Sequence, residues 1–122
     1  MKIAIIGASK RRQKFGNKCV RAYQENGDTV FPVHPADEEV EGLKAFRSVL
    51  EVPDEIEVAS FYVAPEAGLK VLEECAQKKI PTVWLNPGSE SDAVLTRARE
   101  LGIETQTLCS IRHIGRSPSE FS

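Results

Sequence analysis

The densest chemistry in this chain lies in Gly7-Ala8-Ser9-Lys10-Arg11-Arg12-Gln13-Lys14-Phe15-Gly16, where four cations, Lys10, Arg11, Arg12 and Lys14, fall within five residues. Glycine lets backbone turn tightly and approach an anion, Ser9 adds a hydroxyl, and the cations add charge-assisted hydrogen bonds. A polyphosphate matches that combination. The run stands out because the chain as a whole is acidic, with 16 Lys+Arg against 18 Asp+Glu and a formal net charge of −2. Such a balance gives no broad basic face, so no nucleic-acid partner is expected.

Other reactive residue types offer less. His34 and His113 stand in loops without a nucleophile signature, there is no G-x-S-x-G, and no histidine pair has metal-ligand spacing. No catalytic residue and no metal ligand is assigned. Cys19, Cys75 and Cys109 are far apart with no C-x-x-C spacing, which reads as reduced packing thiols of a cytoplasmic protein. Met1-Lys2 leads straight into a short apolar run closed by Gly7, too short for a signal-peptide core or a membrane span, so no membrane association is expected. A length of 122 residues suits one domain over 1–122 whose core needs neither disulfide nor metal.

What positions the basic run is an alternation of short β-rich runs with longer helical periods. Ile3-Ala4-Ile5-Ile6 is continuous and apolar, as for a strand buried on both faces. Phe15, Cys19 and Tyr23 recur every four residues, so Phe15 to Asn26 reads as an amphipathic helix stopped by Gly27. Thr29–Val33 is the second strand, Ile56–Val63 the third, Pro81–Leu85 the fourth, and Ile103–Leu108 a fifth near an edge. Pro65 opens a helix with rows Ala67-Val71-Cys75 and Gly68-Leu72-Ala76. Ser89-Glu90-Ser91-Asp92 has the capping pattern ahead of the stripe Val94, Leu95, Ala98 and Leu101. Phe61 and Trp84 read as core. The segment Ala36–Asp54 is the loosest, with one short helix around Leu43–Leu50, and Ser110–Ser122 is a polar tail without assignment. The class is therefore α/β, a Rossmann-like doubly wound parallel five-stranded sheet in three α/β/α layers, order 3-2-1-4-5.

In such a sheet ligands bind beyond the carboxyl ends of the strands, at the switch between the first strand and the fourth. The basic run begins there and leads into a helix N-terminus, whose aligned N–H groups add partial positive charge. The fingerprint G-x-G-x-x-G is absent, and the second strand leaves through Val33-His34-Pro35 instead of an acidic residue, so NAD is disfavoured. The exits Val63-Ala64-Pro65 and Asn86-Pro87-Gly88 are small and proline-containing, suited to an apolar slot for a flat base or an extended arm. Asn86 reads either as a ligand donor or as a turn former.

The stretches Ile3–Ser9 (I-A-I-I-G-A-S), Val30–Pro35 (V-F-P-V-H-P), Gly42, Phe61–Glu66 (F-Y-V-A-P-E) and Val83–Gly88 (V-W-L-N-P-G), in that order, resemble the bacterial CoA-binding domain family over nearly the whole chain, from Lys2 to about Cys109. That family is similar to the nucleotide domain at the start of the succinyl-CoA synthetase α subunit. The resemblance implies a Rossmann-like fold with coenzyme A or an acyl-CoA as ligand. It implies phosphate contacts from Gly7, Ala8, Ser9 and a basic residue among Lys10, Arg11, Arg12 and Lys14. It further implies an adenosine and pantetheine path along Pro32, Val33, His34, Pro35, Val63, Ala64, Pro65, Asn86, Pro87 and Gly88. This chain departs from many members in carrying His34 where they have asparagine, and Thr107-Leu108-Cys109 where they have Asp-Arg-Cys. The expected role is that of a sensor, carrier or non-catalytic subunit. The alternatives are an NAD(P)-dependent oxidoreductase or an accessory fragment of an acyl-CoA ligase, and a homo-oligomer or a protein partner stays open.

Overall fold

The computed structural model describes residues 1–122. The chain runs through β1 (Lys2–Ile6), α1 (Phe15–Glu25), β2 (Thr29–Val33), β3 (Glu39–Val40), β4 (Leu43–Lys44), a 3-10 turn (Val49–Glu51), β5 (Val58–Phe61) and α2 (Pro65–Lys78). It continues through β6 (Thr82–Leu85), α3 (Asp92–Glu100), β7 (Glu104–Thr107), α4 (Ser110–His113) and a last 3-10 turn (Pro118–Phe121). Five strands join in the order β2-β1-β5-β6-β7, every pair parallel. The Rossmann-like α/β architecture expected from the sequence is the one observed.

The order 3-2-1-4-5 is met, with one change in which residues fill it. Phe46 takes the place outside β2 by a single parallel bridge, donating its N–H to the Pro32 carbonyl (2.9 Å) and accepting the His34 N–H (2.8 Å). The Ile56–Val63 segment, read as the third strand, takes the next place beside β1, where Ile3 faces Val58 and Ile6 faces Phe61. β7 then extends the far edge. The third position stays at one residue because Ser48 turns the chain away, its Oγ capping the 3-10 turn by accepting the Leu50 N–H (3.1 Å).

Side-chain alternation divides the strands between two cores. Ala4 and Ile6 point to the side of Leu72 and Cys75 of α2 and Val94 and Ala98 of α3. Ile3 and Ile5 point to the side of Cys19, Val20 and Tyr23 of α1 and Ile111 of α4. Both faces are covered, which is why β1 is apolar at every position from Ile3 to Ile6. Each fully buried large aliphatic side chain contributes about 1.5–3 kcal/mol.

Several local expectations are corrected. Ala36–Asp54 holds the β3–β4 hairpin and the Val49–Glu51 turn instead of a helix over Leu43–Leu50. Consecutive positive φ angles at Glu41 (49°) and Gly42 (78°) impose a two-residue hairpin turn, a geometry no helix accommodates. α3 is capped by Ser91, whose Oγ accepts the Val94 N–H (3.1 Å), while the Ser89 hydroxyl donates to the Phe61 carbonyl (3.0 Å). Cys19 and Tyr23 are buried, but Phe15 at the start of α1 is 57% exposed. The polar tail packs on the domain: Phe121 is buried against α1, with the guanidinium groups of Arg21 and Arg116 both over its ring.

A buried hydrogen-bond network ties the strand exits together. Asn86 Nδ2 donates to Ser60 Oγ and to the Phe61 carbonyl, both at 2.8 Å, and its Oδ1 accepts the Ser110 N–H (2.8 Å). The Ser60 and Ser110 hydroxyls share a further bond of 2.8 Å, and Tyr23 Oη donates to the Ser110 carbonyl (2.7 Å). Both Nδ2 hydrogens of Asn86 are thus engaged within the protein, and the side chain joins β5, the β6 exit and α4. Asn86→Ala leaves the buried Ser110 N–H without a partner and takes one of two bonds from the Ser60 hydroxyl, and it is expected to lower unfolding stability by about 2–4 kcal/mol, read from urea denaturation followed by far-UV circular dichroism. A loss within about 0.5 kcal/mol would show that water replaces the carboxamide at no cost.

Candidate functional site

The site is built where β1, β2 and β5 end. Gly7 turns the chain at φ +87°, and its N–H and that of Ala8 both donate to the Val33 carbonyl (2.9 and 3.2 Å). A Cβ at Gly7 would stand 2.5 Å from the Tyr62 carbonyl oxygen. In the first turn of α1, a Cβ at Gly16 would stand 2.4 Å from the Gly7 carbonyl oxygen. Both glycines are therefore needed to bring the β1 turn, the β5 exit and the helix start into contact. Sequence reasoning missed Gly16, although a glycine in a first helical turn, costing about 1 kcal/mol of propensity, is a signal in itself.

α1 begins after Lys14 without any side-chain cap, so no side chain occupies the N–H groups of its first turn. They face a cleft of about 780 Å³ over the strand exits. Gly7, Ser9, Lys10, Arg11 and Lys14 line one side; His34 and Pro35, Val63 and Ala64, and Pro87 and Gly88 line the rest. These eleven of the expected site residues are brought together.

Six others are not in the lining. Ala8 is fully buried under the turn, and Pro32 and Val33 lie inside β2, where the Val33 carbonyl anchors Gly7. Pro65 is the first residue of α2, and Asn86 has its side chain committed to the buried network. Arg12 lies outside the lining and pairs with Glu41 at 3.4 Å. In their place the cleft gains Phe15, Gly16, Asp37, Tyr62 and Ser89.

The electrostatics of the cleft are three cations, Lys10, Arg11 and Lys14, against one carboxylate, Asp37. Asp37 Oδ2 accepts the Lys10 backbone N–H (2.9 Å). His34 Nδ1 accepts the N–H groups of Ala36 (3.1 Å) and Asp37 (2.8 Å), which leaves the proton of the neutral ring on Nε2. Tyr62 contributes to the wall, while its hydroxyl is buried without a partner and is pushed well above the ordinary tyrosine range by desolvation. Burial pushes the thiols of Cys19 and Cys75 up to about 12, so neither is a thiolate near neutral pH.

Residues 1–112 match the family described as CoA binding domain. The chain belongs to this family. The CoA-binding domain shares 37% identity over 78 residues with an ADP-forming acetate-CoA ligase of Methanocaldococcus jannaschii, a match covering 64% of this chain and 11% of the ligase. The chain thus spans about a tenth of that relative's length. A conserved hypothetical protein of Pyrococcus furiosus superposes with a TM-score of 0.88 at 36% identity, covering 92% of this chain and 97% of that one. The dinucleotide-forming acetyl-coenzyme A synthetase 1 of Ca. Korarchaeum cryptofilum, solved with phosphate and ADP, superposes at 0.77 with 28% identity over 85% of this chain and 25% of the synthetase. The family match and the ligase relative support coenzyme A as the cofactor of the domain. No helix is long and apolar enough to cross a membrane.

Gly16→Ala places opposing effects in one variant. Alanine is the better helix former by about 1 kcal/mol, but its Cβ meets backbone that cannot rotate away. The clash dominates, and a net destabilisation of about 1–3 kcal/mol is expected in thermal denaturation. Equal or higher stability would show that α1 slides along the sheet without penalty.

Proposed function

We propose that this CoA-binding domain holds coenzyme A or an acyl-CoA in the cleft at the strand exits. There it serves as a sensor, a carrier or a non-catalytic subunit that presents the nucleotide to a partner. The observation that carries the reading is the convergence of the Gly7 turn, the uncapped start of α1 and the side chains of Lys10, Arg11 and Lys14 on one space. Coenzyme A bears a pyrophosphate and a ribose phosphate, more negative charge than a helix N-terminus alone offsets, and the three cations supply the remainder. Pro35, Val63, Ala64, Pro87 and Gly88 give the base and the pantetheine arm a wall of small, weakly polar groups. The ligase and the synthetase among the relatives contain this fold as a part of larger enzymes, which supports a role beside a catalytic partner.

Asp37 is the one acidic group in the lining, and NAD sites use a carboxylate for the ribose. Here Oδ2 is engaged by the Lys10 N–H, and coenzyme A remains the favoured ligand. At equal concentration CoA is expected to raise the melting temperature more than NAD does, since only a ligand bound to the folded state stabilises it. A larger shift with NAD would refute the assignment.

The cations are tested separately. Replacing Lys10, Arg11 and Lys14 together by glutamine is expected to weaken CoA binding by at least about tenfold in calorimetric titration, equivalent to about 1.4 kcal/mol, and to flatten its salt dependence. Arg12→Gln is expected to change the affinity by less than about threefold, because Arg12 faces Glu41 and not the cleft. Unchanged affinity in the triple variant would place the phosphates elsewhere.

A further inference from the structure

The basic loop is also gripped from behind, by groups outside the cleft lining. Asn17, fully buried in α1, donates Nδ2 to the Ser9 carbonyl (2.8 Å) and to Glu41 Oε2 (3.0 Å). Its Oδ1 accepts the Nε–H of Arg21 (2.8 Å), and Arg21 donates onward to the Arg12 carbonyl (2.6 Å). The Glu41 carboxylate pairs with the Arg12 guanidinium at 3.4 Å, and the Glu41 carbonyl accepts from Gln24 Nε2 (3.2 Å). Ser9 and Arg12 bracket Lys10 and Arg11, so the loop is tied on both sides of two of its three cleft-lining cations, and the ties meet at Glu41 and Asn17.

Glu41 is an improbable residue for its place. It occupies the first position of the β3–β4 turn at φ 49°, where glycine, asparagine or aspartate is favoured, and Lys79 is the other non-glycine residue with positive φ. A glutamate held there against its backbone preference, with its side chain only 19% exposed, has a purpose in what its carboxylate grips.

We propose that Glu41 is a positioning residue for anion binding, and that the β3–β4 hairpin is a clasp that fixes the Lys10–Lys14 loop in its cation-presenting form before a ligand arrives. Ordering the loop in advance removes a cost that binding would otherwise carry. The inference rests on the reading of the cleft as a CoA site, yet its sign is independent of simple charge. Deleting an acid near a polyanion site would by Coulomb's law tighten binding, whereas loss of a clasp weakens it.

Three substitutions separate the cases. Glu41→Gly and Glu41→Asn relieve the positive-φ cost while removing the reach to Asn17, so their melting temperatures are expected near the wild type. Their CoA affinity is expected to fall by about tenfold by calorimetry, and the amides of residues 10–14 to exchange hydrogen about tenfold faster while those of β1 and β5 do not change. Glu41→Gln keeps an oxygen for Asn17 and is expected to stay within about threefold of wild type on both readouts. If one of the two shortened variants fails to fold, the other carries the comparison. Unchanged or tighter CoA binding together with wild-type exchange in the shortened variants overturns the clasp. If the wild type itself does not bind CoA, the ligand assignment fails, and the exchange comparison alone decides the clasp.

Discussion

The close approach of Gly16 to the Gly7 carbonyl governs this molecule. At that point the end of β1, the start of α1 and the backbone of Tyr62 meet with no room for a single methyl group. The contact sets how far α1 sits above the sheet and so where its free N–H groups point. It also sets the span from Lys14 to Val63 and Ala64 at the β5 exit, both of which line the cleft. Interiors transmit strain because they are close-packed, so a displacement here reaches every wall of the site.

The buried network below the cleft serves the same end by other means. Asn86, Ser60 and Ser110 satisfy one another's donors and acceptors where the ends of β5 and β6 meet α4, without any group turned to solvent. A fully satisfied polar cluster specifies one arrangement, since any shift of register strands a donor in a low-dielectric interior. The loops that line the cleft therefore rise from a fixed floor.

Legibility in the sequence followed the range of the interaction. β1 was plain because burial on both faces writes a continuous apolar run, β5 because Ser60 alone interrupts Val58, Ala59 and Phe61, and α2 because Gly68, Leu72 and Cys75 share one buried stripe. The Lys10–Lys14 run was visible as charge, and its place at the β1 exit followed from the fold. What stayed hidden depended on partners distant in the chain. Nothing near Arg12 announces Glu41, 29 residues on, and nothing near Asn86 announces Ser110. Phe15 fits the apolar period of α1, yet it stands in the first turn, where it lines the cleft, and is exposed. The hairpin was obscured because its turn is built on a glutamate, a residue that does not advertise positive φ.

Arg21 links two parts of the molecule that lie a hundred residues apart. Its guanidinium donates to the Arg12 carbonyl in the basic loop and to the Phe121 carbonyl in the last turn (2.7 Å), with the Phe121 ring 5.7 Å away. The loop and the last turn thus share one cation, and the order of each bears on the order of the other. By reciprocity, whatever free energy a bound ligand adds to the loop-to-turn coupling, release of Phe121 from Arg21 removes from the ligand's binding. Through this one guanidinium, amide exchange in the Pro118–Phe121 turn becomes a measure of occupancy in the cleft.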